Sequence, residues 1–256
     1  MSTIRRAARD AADAAARITL SQFRTGLSVD TKGDAFDPVT QADRQAEHAM
    51  RQVLSDAFPN DAILGEEHAA RAGTSGRTWV LDPIDGTRGF ISGTPTWGTL
   101  IGLRDGDRIA YGLIDQPFTG ERFEGWAGGA TWTRGADVRP LRTRGTTGLG
   151  EATILSTFPE VGTPSERAAF ERLAGACRLT RYGLDCYGYA LVALGCVDLV
   201  VEAGLHPYDV AGPIGVVEGA GGIVTAWDGG PALDGGRVVA AANAEIHAAA
   251  LAYLAG

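Results

Sequence analysis

The chain has 256 residues, 45% of them hydrophobic and 21% charged, which is enough apolar material for a full core. No apolar run approaches the ~18 residues of a membrane span, which excludes a protein that crosses a bilayer by helices. Lys and Arg number 23 against 31 Asp and Glu, a net charge of −8; that is the wrong sign for a nucleic-acid binder and suits a site that gathers carboxylates around cations.

The first 30 residues are rich in Ala and Arg but lack the apolar core of a secretory signal, and Asp10 and Asp13 argue against a transit peptide. An amphipathic helix is expected over residues 3–23. A second is expected over 41–58, where Ala46, Ala49, Met50, Val53, Leu54 and Ala57 recur at helical spacing. Thr40 and Asp43 read as its capping box. A short strand ends at Ile63-Leu64, before Gly65. Residues 78–81 form another strand, which Asp82-Pro83 is expected to stop. Strands at 98–103 and 109–114 flank Arg104-Asp105-Gly106-Asp107-Arg108, a hairpin signal, and 122–126 and 131–133 continue the sheet.

The Arg-, Thr- and Gly-rich stretch 142–150 is a candidate boundary. Beyond it come a strand at 153–156, a helix at 164–174 with Pro164 in its first turn, and a helix at 185–194. A strand at 197–201, a helix at 209–218 interrupted by Pro213, strands at 223–227 and 238–241, and a helix at 244–254 follow. The mixture reads as an α+β half over 1–145 and an α/β half over 146–256 of a single domain. The cysteines, Cys177, Cys186 and Cys196, form no CxxC pair and are odd in number, so reduced thiols in a cytoplasmic protein are expected. None of the four histidines has metal-ligand spacing: His48 and His247 read as surface residues, and His206 lies beside an acidic cluster.

Three acidic clusters stand out: Gly65-Glu66-Glu67, Asp82-Pro83-Ile84-Asp85-Gly86-Thr87 and Tyr208-Asp209-Val210-Ala211-Gly212. Pro83 keeps Asp82 out of helical conformation, and Asp85 follows in a turn closed by Gly86. Both carboxylates can then point into one crevice at the end of a strand, with the Ile84 carbonyl between them. Oxygen donors of this kind suit hard divalent cations, and a helix opening at Gly86 and Thr87 suits a phosphate. Taken singly, each cluster has a plainer reading. Asp-Pro-x-Asp-Gly is ordinary turn chemistry, Glu66 a surface acid, and Asp43 and Asp209 helix caps. Their joint occurrence points to chemistry.

These clusters, with Glu218-Gly219-Ala220-Gly221-Gly222, resemble the signatures of the inositol monophosphatase superfamily, Mg²⁺-dependent and typically lithium-sensitive phosphomonoesterases. The likeness runs from Asp37-Pro38-Val39-Thr40-Gln41-Ala42-Asp43 to Val239-Ala240-Ala241-Ala242-Asn243. It implies a single phosphatase domain built as a five-layered α-β-α-β-α sandwich. It implies that Glu66, Asp82 and the Ile84 carbonyl hold a first metal, and Asp82, Asp85 and Asp209 a second. Gly86 and Thr87 would bind phosphate through backbone amides. Thr87, hydrogen-bonded to Asp43, would with Glu66 position the attacking water. Lys32 aligns either with a lysine on a mobile metal-site loop or with a solvated loop residue. The resemblance further implies two or three Mg²⁺ per subunit, with Mn²⁺ also suited to the oxygen ligands. It implies a small phosphomonoester substrate, no nucleic-acid or membrane partner, and a homodimer, for which the 98–132 sheet region is a plausible interface.

Gly86-Thr87-Arg88-Gly89-Phe90-Ile91-Ser92-Gly93, Gly98-Thr99-Leu100-Ile101, Gly112-Leu113-Ile114-Asp115-Gln116-Pro117, Arg181-Tyr182-Gly183-Leu184-Asp185-Cys186-Tyr187-Gly188-Tyr189-Ala190 and Val197-Asp198-Leu199-Val200-Val201-Glu202-Ala203-Gly204-Leu205 look like the histidinol-phosphate phosphatase branch. On that reading Arg88, Asp185 and Glu202 contact substrate, the two acids pairing with its protonated amine. Asp185 as a helix N-cap and Glu202 as an exposed strand end are the plainer alternatives. The chain departs from that branch at His206-Pro207, where Lys-Pro is usual, at Trp97 and at Gly89. A phosphatase for inositol 1-phosphate, or a broad one for sugar and nucleotide phosphates, is the runner-up. A non-catalytic phospholigand-binding module is disfavoured because it need not keep Glu66 and Thr87.

Overall fold

The computed structural model describes residues 1–25, 29–31 and 38–255; Lys32 lies outside the described residues. The first half contains α1 (Ser2–Gln22), β1 (Val29–Thr31), β2 (Pro38–Thr40), α2 (Gln41–Ala57), β3 (Ala62–Gly65), β4 (Arg77–Asp85), α3 (Thr87–Ser92), β5 (Gly98–Asp105), β6 (Arg108–Gln116), β7 (Glu121–Trp126), β8 (Gly129–Arg134) and β9 (Asp137–Pro140). Strands β3 to β9 lie in one sheet in chain order, parallel between β3 and β4 and antiparallel thereafter. Ala7, Ala8, Ala11, Ala12 and Ala15 form the buried stripe of α1. Their small side chains let α1 lie close to Ala46, Met50 and Leu54 of α2 and to Ile63, Trp79 and Leu81 of the sheet.

The second half contains β10 (Thr153–Ser156), α4 (Pro164–Ala176), β11 (Leu179–Tyr182), α5 (Asp185–Ala193), β12 (Leu199–Leu205), α6 (Pro207–Gly219), β13 (Ile223–Ala226), β14 (Gly236–Ala241) and α7 (Ala244–Leu254). Its sheet has the order β11-β10-β12-β14-β13. Alternation along each strand sorts the side chains between two layers. Val200, Val238 and Ala240 face α5, α6 and the first sheet. Leu199, Val201, Val239 and Ala241 face Phe170 and Leu173 of α4 and Ile246 and Leu254 of α7. The layers are therefore α1 and α2, first sheet, α5 and α6, second sheet, α4 and α7, the five-layered sandwich expected. Among the described residues, no helix is long and apolar enough to cross a membrane.

Two expected breaks are absent. Strand β4 does not stop at Asp82 but runs to Asp85, with a register irregularity between the two. A bulge accommodates the missing N–H of Pro83, and the Thr99 hydroxyl donates to the Pro83 carbonyl at 2.8 Å. Helix α6 is not interrupted by Pro213. Proline only removes the bond to the Asp209 carbonyl, while Val210, Ile214, Val216 and Val217 are buried between the sheets and hold the helix. Strand β12 begins two residues later than expected and continues through Glu202 to Leu205. Strands β9 and β11 have no counterpart in the sequence pattern. They are exposed edge strands and carry no apolar alternation. His247 is not a plain surface residue: its ring bonds the Thr225 hydroxyl at 2.8 Å.

Helix α6 and the first sheet touch backbone to backbone. A Cβ on Gly112 would meet the Gly212 carbonyl oxygen at 2.2 Å, and one on Gly125 the Gly215 oxygen at 2.0 Å. This approach brings the N-terminus of α6, with Asp209, to the end of β4.

Candidate active site

Asp82 and Asp85 sit at the bulged end of β4. Asp82 is buried and accepts the Ile84 N–H at 3.0 Å, closing the turn that Pro83 forces. Asp85 accepts the Cys186 N–H of α5 at 2.6 Å. Asp209 lies in the first turn of α6 and accepts the His206 N–H at 2.6 Å, a capping bond. One carboxylate oxygen from each of Asp82, Asp85 and Asp209 lies within 4.8 Å of the others.

Burial pushes the Asp82 carboxyl well above the usual range, and the charges of Glu66, Asp85, Asp209 and Asp43 push it further. Asp85 is raised by burial and then by Asp185 and Asp209. An all-oxygen donor set crowded with like charge fits hard divalent metal ions.

A cleft of about 390 Å³ opens beside this trio. Glu66, Gly86, Thr87 and Arg88 line it from the first half, and Asp185, Glu202 and Asp209 from the second. Gly86 has φ +80°, and a Cβ there would meet the Asp185 carboxyl carbon at 2.8 Å, so backbone and neighbour both require glycine. Ile84 is buried, and its carbonyl accepts the Thr87 hydroxyl at 3.1 Å. The expected bond from Thr87 to Asp43 is thus replaced by a bond to the Ile84 carbonyl. Asp43 instead caps α2, its Oδ2 accepting the Thr40 N–H at 2.8 Å and the Thr40 hydroxyl at 2.6 Å. Its Oδ1 is buried and has no partner among the described residues.

Asp185 is not an N-cap. It is the first residue of α5 at φ +45°, a left-handed conformation strained for a non-glycine residue, and Leu184 holds the cap position. Its carboxylate turns toward Gly86 and receives a long bond from the Thr96 hydroxyl at 3.4 Å. Burial, then the charge of Glu202, pushes it up to about 6. Glu202 is not exposed either. It is buried, accepting the Thr157 N–H at 3.1 Å, the Thr157 hydroxyl, and the Tyr189 hydroxyl at 2.7 Å. Thr157, Phe158 and Tyr189 line the same cleft. Thr157 and Phe158 lie in the β10–α4 connection, where no local pattern marks them, and Tyr189 stands in the 181–190 motif without a role of its own.

The inositol monophosphatase family model matches residues 1–255. The chloroplastic bifunctional phosphatase IMPL2 of Arabidopsis thaliana is 40% identical over 254 residues, covering 95% of this chain and 72% of that one. The histidinol-phosphatase of Chlorobaculum parvum is 36% identical over 236 residues, covering 91% and 90%. An inositol monophosphatase structure from Zymomonas mobilis superposes with TM-score 0.87 at 40% identity, covering 98% of this chain and 97% of that one. A fold shared with that structure, and a family match along nearly the whole length, lead to one conclusion: the chain belongs to the inositol monophosphatase family and is a phosphoric monoester hydrolase.

Proposed function

We propose that this phosphatase hydrolyses histidinol phosphate to histidinol and phosphate with the help of Mg²⁺. Asp82, Asp85 and Asp209, with Glu66 and the Ile84 carbonyl, are the residues to hold the metal. Bound divalent ions supply positive charge against the phosphate dianion and acidify water. Gly86 and Thr87 receive phosphate oxygens on backbone N–H groups where α3 opens, and Arg88 adds positive charge at the cleft wall. Glu66 and the Thr87 hydroxyl orient water for in-line attack on phosphorus, and Asp43 Oδ1 is the acceptor we assign to that hydroxyl in the loaded site. Positioning and charge carry most of such a transfer.

The observation that carries the substrate is the pair of neighbouring acids, half-buried Asp185 and buried Glu202, in the same cleft as the phosphate loop. A protonated amine neutralises them, whereas neutral inositol leaves their charge unmet. The histidinol-phosphatase relative supports this reading, and the Zymomonas mobilis neighbour supports inositol 1-phosphate as the alternative. The unpaired cysteines support a reducing, cytoplasmic setting. Turnover of histidinol phosphate, inositol 1-phosphate, a sugar bisphosphate and adenosine 3′,5′-bisphosphate is the test, with Asp85→Asn as the inactive control. A kcat/KM at least about tenfold higher for histidinol phosphate is expected. Preference for inositol 1-phosphate defeats the substrate assignment. Equal phosphate release by wild type and Asp85→Asn defeats the metal site.

A further inference from the structure

Phe158 is a large apolar side chain without a place in the core. It is 44% exposed and belongs to none of the four hydrophobic clusters of the described residues. It lines the catalytic cleft from the second half of the chain. The Arg88 guanidinium, carried by α3 next to the phosphate loop, lies 4.8 Å from its ring centroid. Arg88 is also close enough to Asp185 to lower that carboxyl's pKa. The ring thus has a cation of the phosphate-binding helix over one face, in a cleft that Asp185 and Glu202 also line.

An exposed aromatic ring placed in this way is a surface waiting for a flat apolar partner. A saturated polyol offers such a ring only C–H groups hemmed by hydroxyls that compete for water, with no π face of its own. A planar ring covers it with favourable quadrupole and dispersion contacts, and a protonated imidazole adds a cation–π attraction.

We propose that Phe158 is a specificity-determining residue, a platform on which a planar aromatic group of the substrate alcohol stacks while its phosphate lies at Gly86 and Thr87. The inference deepens the histidinol-phosphate reading and rests on it for the identity of the ring, an imidazole. The experiment separates the two. Phenethyl phosphate and its saturated counterpart, cyclohexylethyl phosphate, are compared as substrates by their kcat/KM ratio. The ratio is measured for wild type, Phe158→Ala, Phe158→Leu and Phe158→Tyr, alongside turnover of histidinol phosphate and inositol 1-phosphate. Wild type favours the aromatic ester. Phe158→Ala and Phe158→Leu cut that ratio about threefold to tenfold, through KM rather than kcat, and Phe158→Tyr keeps it. Phe158→Leu retains bulk without a π face, so a folding defect in Phe158→Ala does not obscure the result. A wild type indifferent to aromaticity, or a ratio unchanged in Phe158→Leu, overturns the platform. If the ratio depends on Phe158 but inositol 1-phosphate is preferred over histidinol phosphate, the platform stands and the substrate assignment falls.

Discussion

Gly125→Ala is expected to damage both stability and metal binding from a position that touches no ligand. Gly125 lies on β7 beneath α6, and its added methyl would stand 2.0 Å from the Gly215 carbonyl oxygen and 2.6 Å from the Val216 Cα. Ordinary contact begins at 3.4 Å, so the gap must open by roughly 1.4 Å. The atoms in the way are helix backbone, which cannot turn aside as a side chain can. Helix α6 is also buried against the second sheet, so retreat compresses one face while opening the other. Overpacking of this kind costs about 1–3 kcal/mol, and the rigid neighbour puts it near the upper end. For a chain of this size that is a fall in Tm of about 6–12 °C. Asp209 lies six residues before Gly215 on the same helix, roughly 9 Å along its axis. A displaced α6 therefore moves Asp209 from Asp82 and Asp85, and the half-saturating Mg²⁺ concentration rises. Thermal unfolding in chelator isolates the packing cost, and the Tm against Mg²⁺ reads the metal site. A variant melting within about 1 °C of wild type, with an unchanged Mg²⁺ titration, refutes the argument.

Gly175→Ala is the opposite case: Gly175 is in α4 with nothing within 4 Å of an added Cβ. It should gain up to about 1 kcal/mol from helix propensity, and a lower Tm would contradict this. Mg²⁺ at about 100 times its dissociation constant should stabilise wild type by about 2.7 kcal/mol. Asp209→Asn should melt higher than wild type in chelator, because one of three crowded charges is gone, yet gain little from Mg²⁺. Equal Mg²⁺ gains in the two proteins would remove Asp209 from the ligand set. Glu124 supplies a pH dependence. Burial tends to raise its pKa, but the bonds from Arg9, Tyr111 and Arg5 outweigh burial and hold it below its ordinary 4.5. Its contribution is present above pH 4.5 and lost as pH falls through the folded value. Glu124→Gln should therefore narrow the Tm difference between neutral and acid solution, and an unaltered acid slope would show that the cluster adds nothing.

Local pattern was enough wherever the interactions are local. Helix periodicity located α2, α4 and α7 to within two residues, and the Thr40–Asp43 capping box forms as expected. Asp82 and Asp85 converge because three residues and a proline turn join them. Single-residue rules failed at Pro83 and Pro213, where burial between layers outweighs one missing N–H. Edge strands β9 and β11 left no pattern because no face of theirs is buried in a core.

Residue chemistry along the chain by itself determined the acidic clusters, the Asp-Pro-x-Asp-Gly-Thr turn, and the alternation of helices and strands. These follow from side-chain type and spacing, which act over a few residues. Only the tertiary structure decided that Asp209 joins Asp82 and Asp85, that Glu202 is buried, and that Phe158 faces Arg88 across the cleft. Those pairings depend on how closely α6 settles on the first sheet, through Gly112, Gly125, Gly212 and Gly215. A contact between distant segments is set by the packing of whole layers, which no short window of residues encodes.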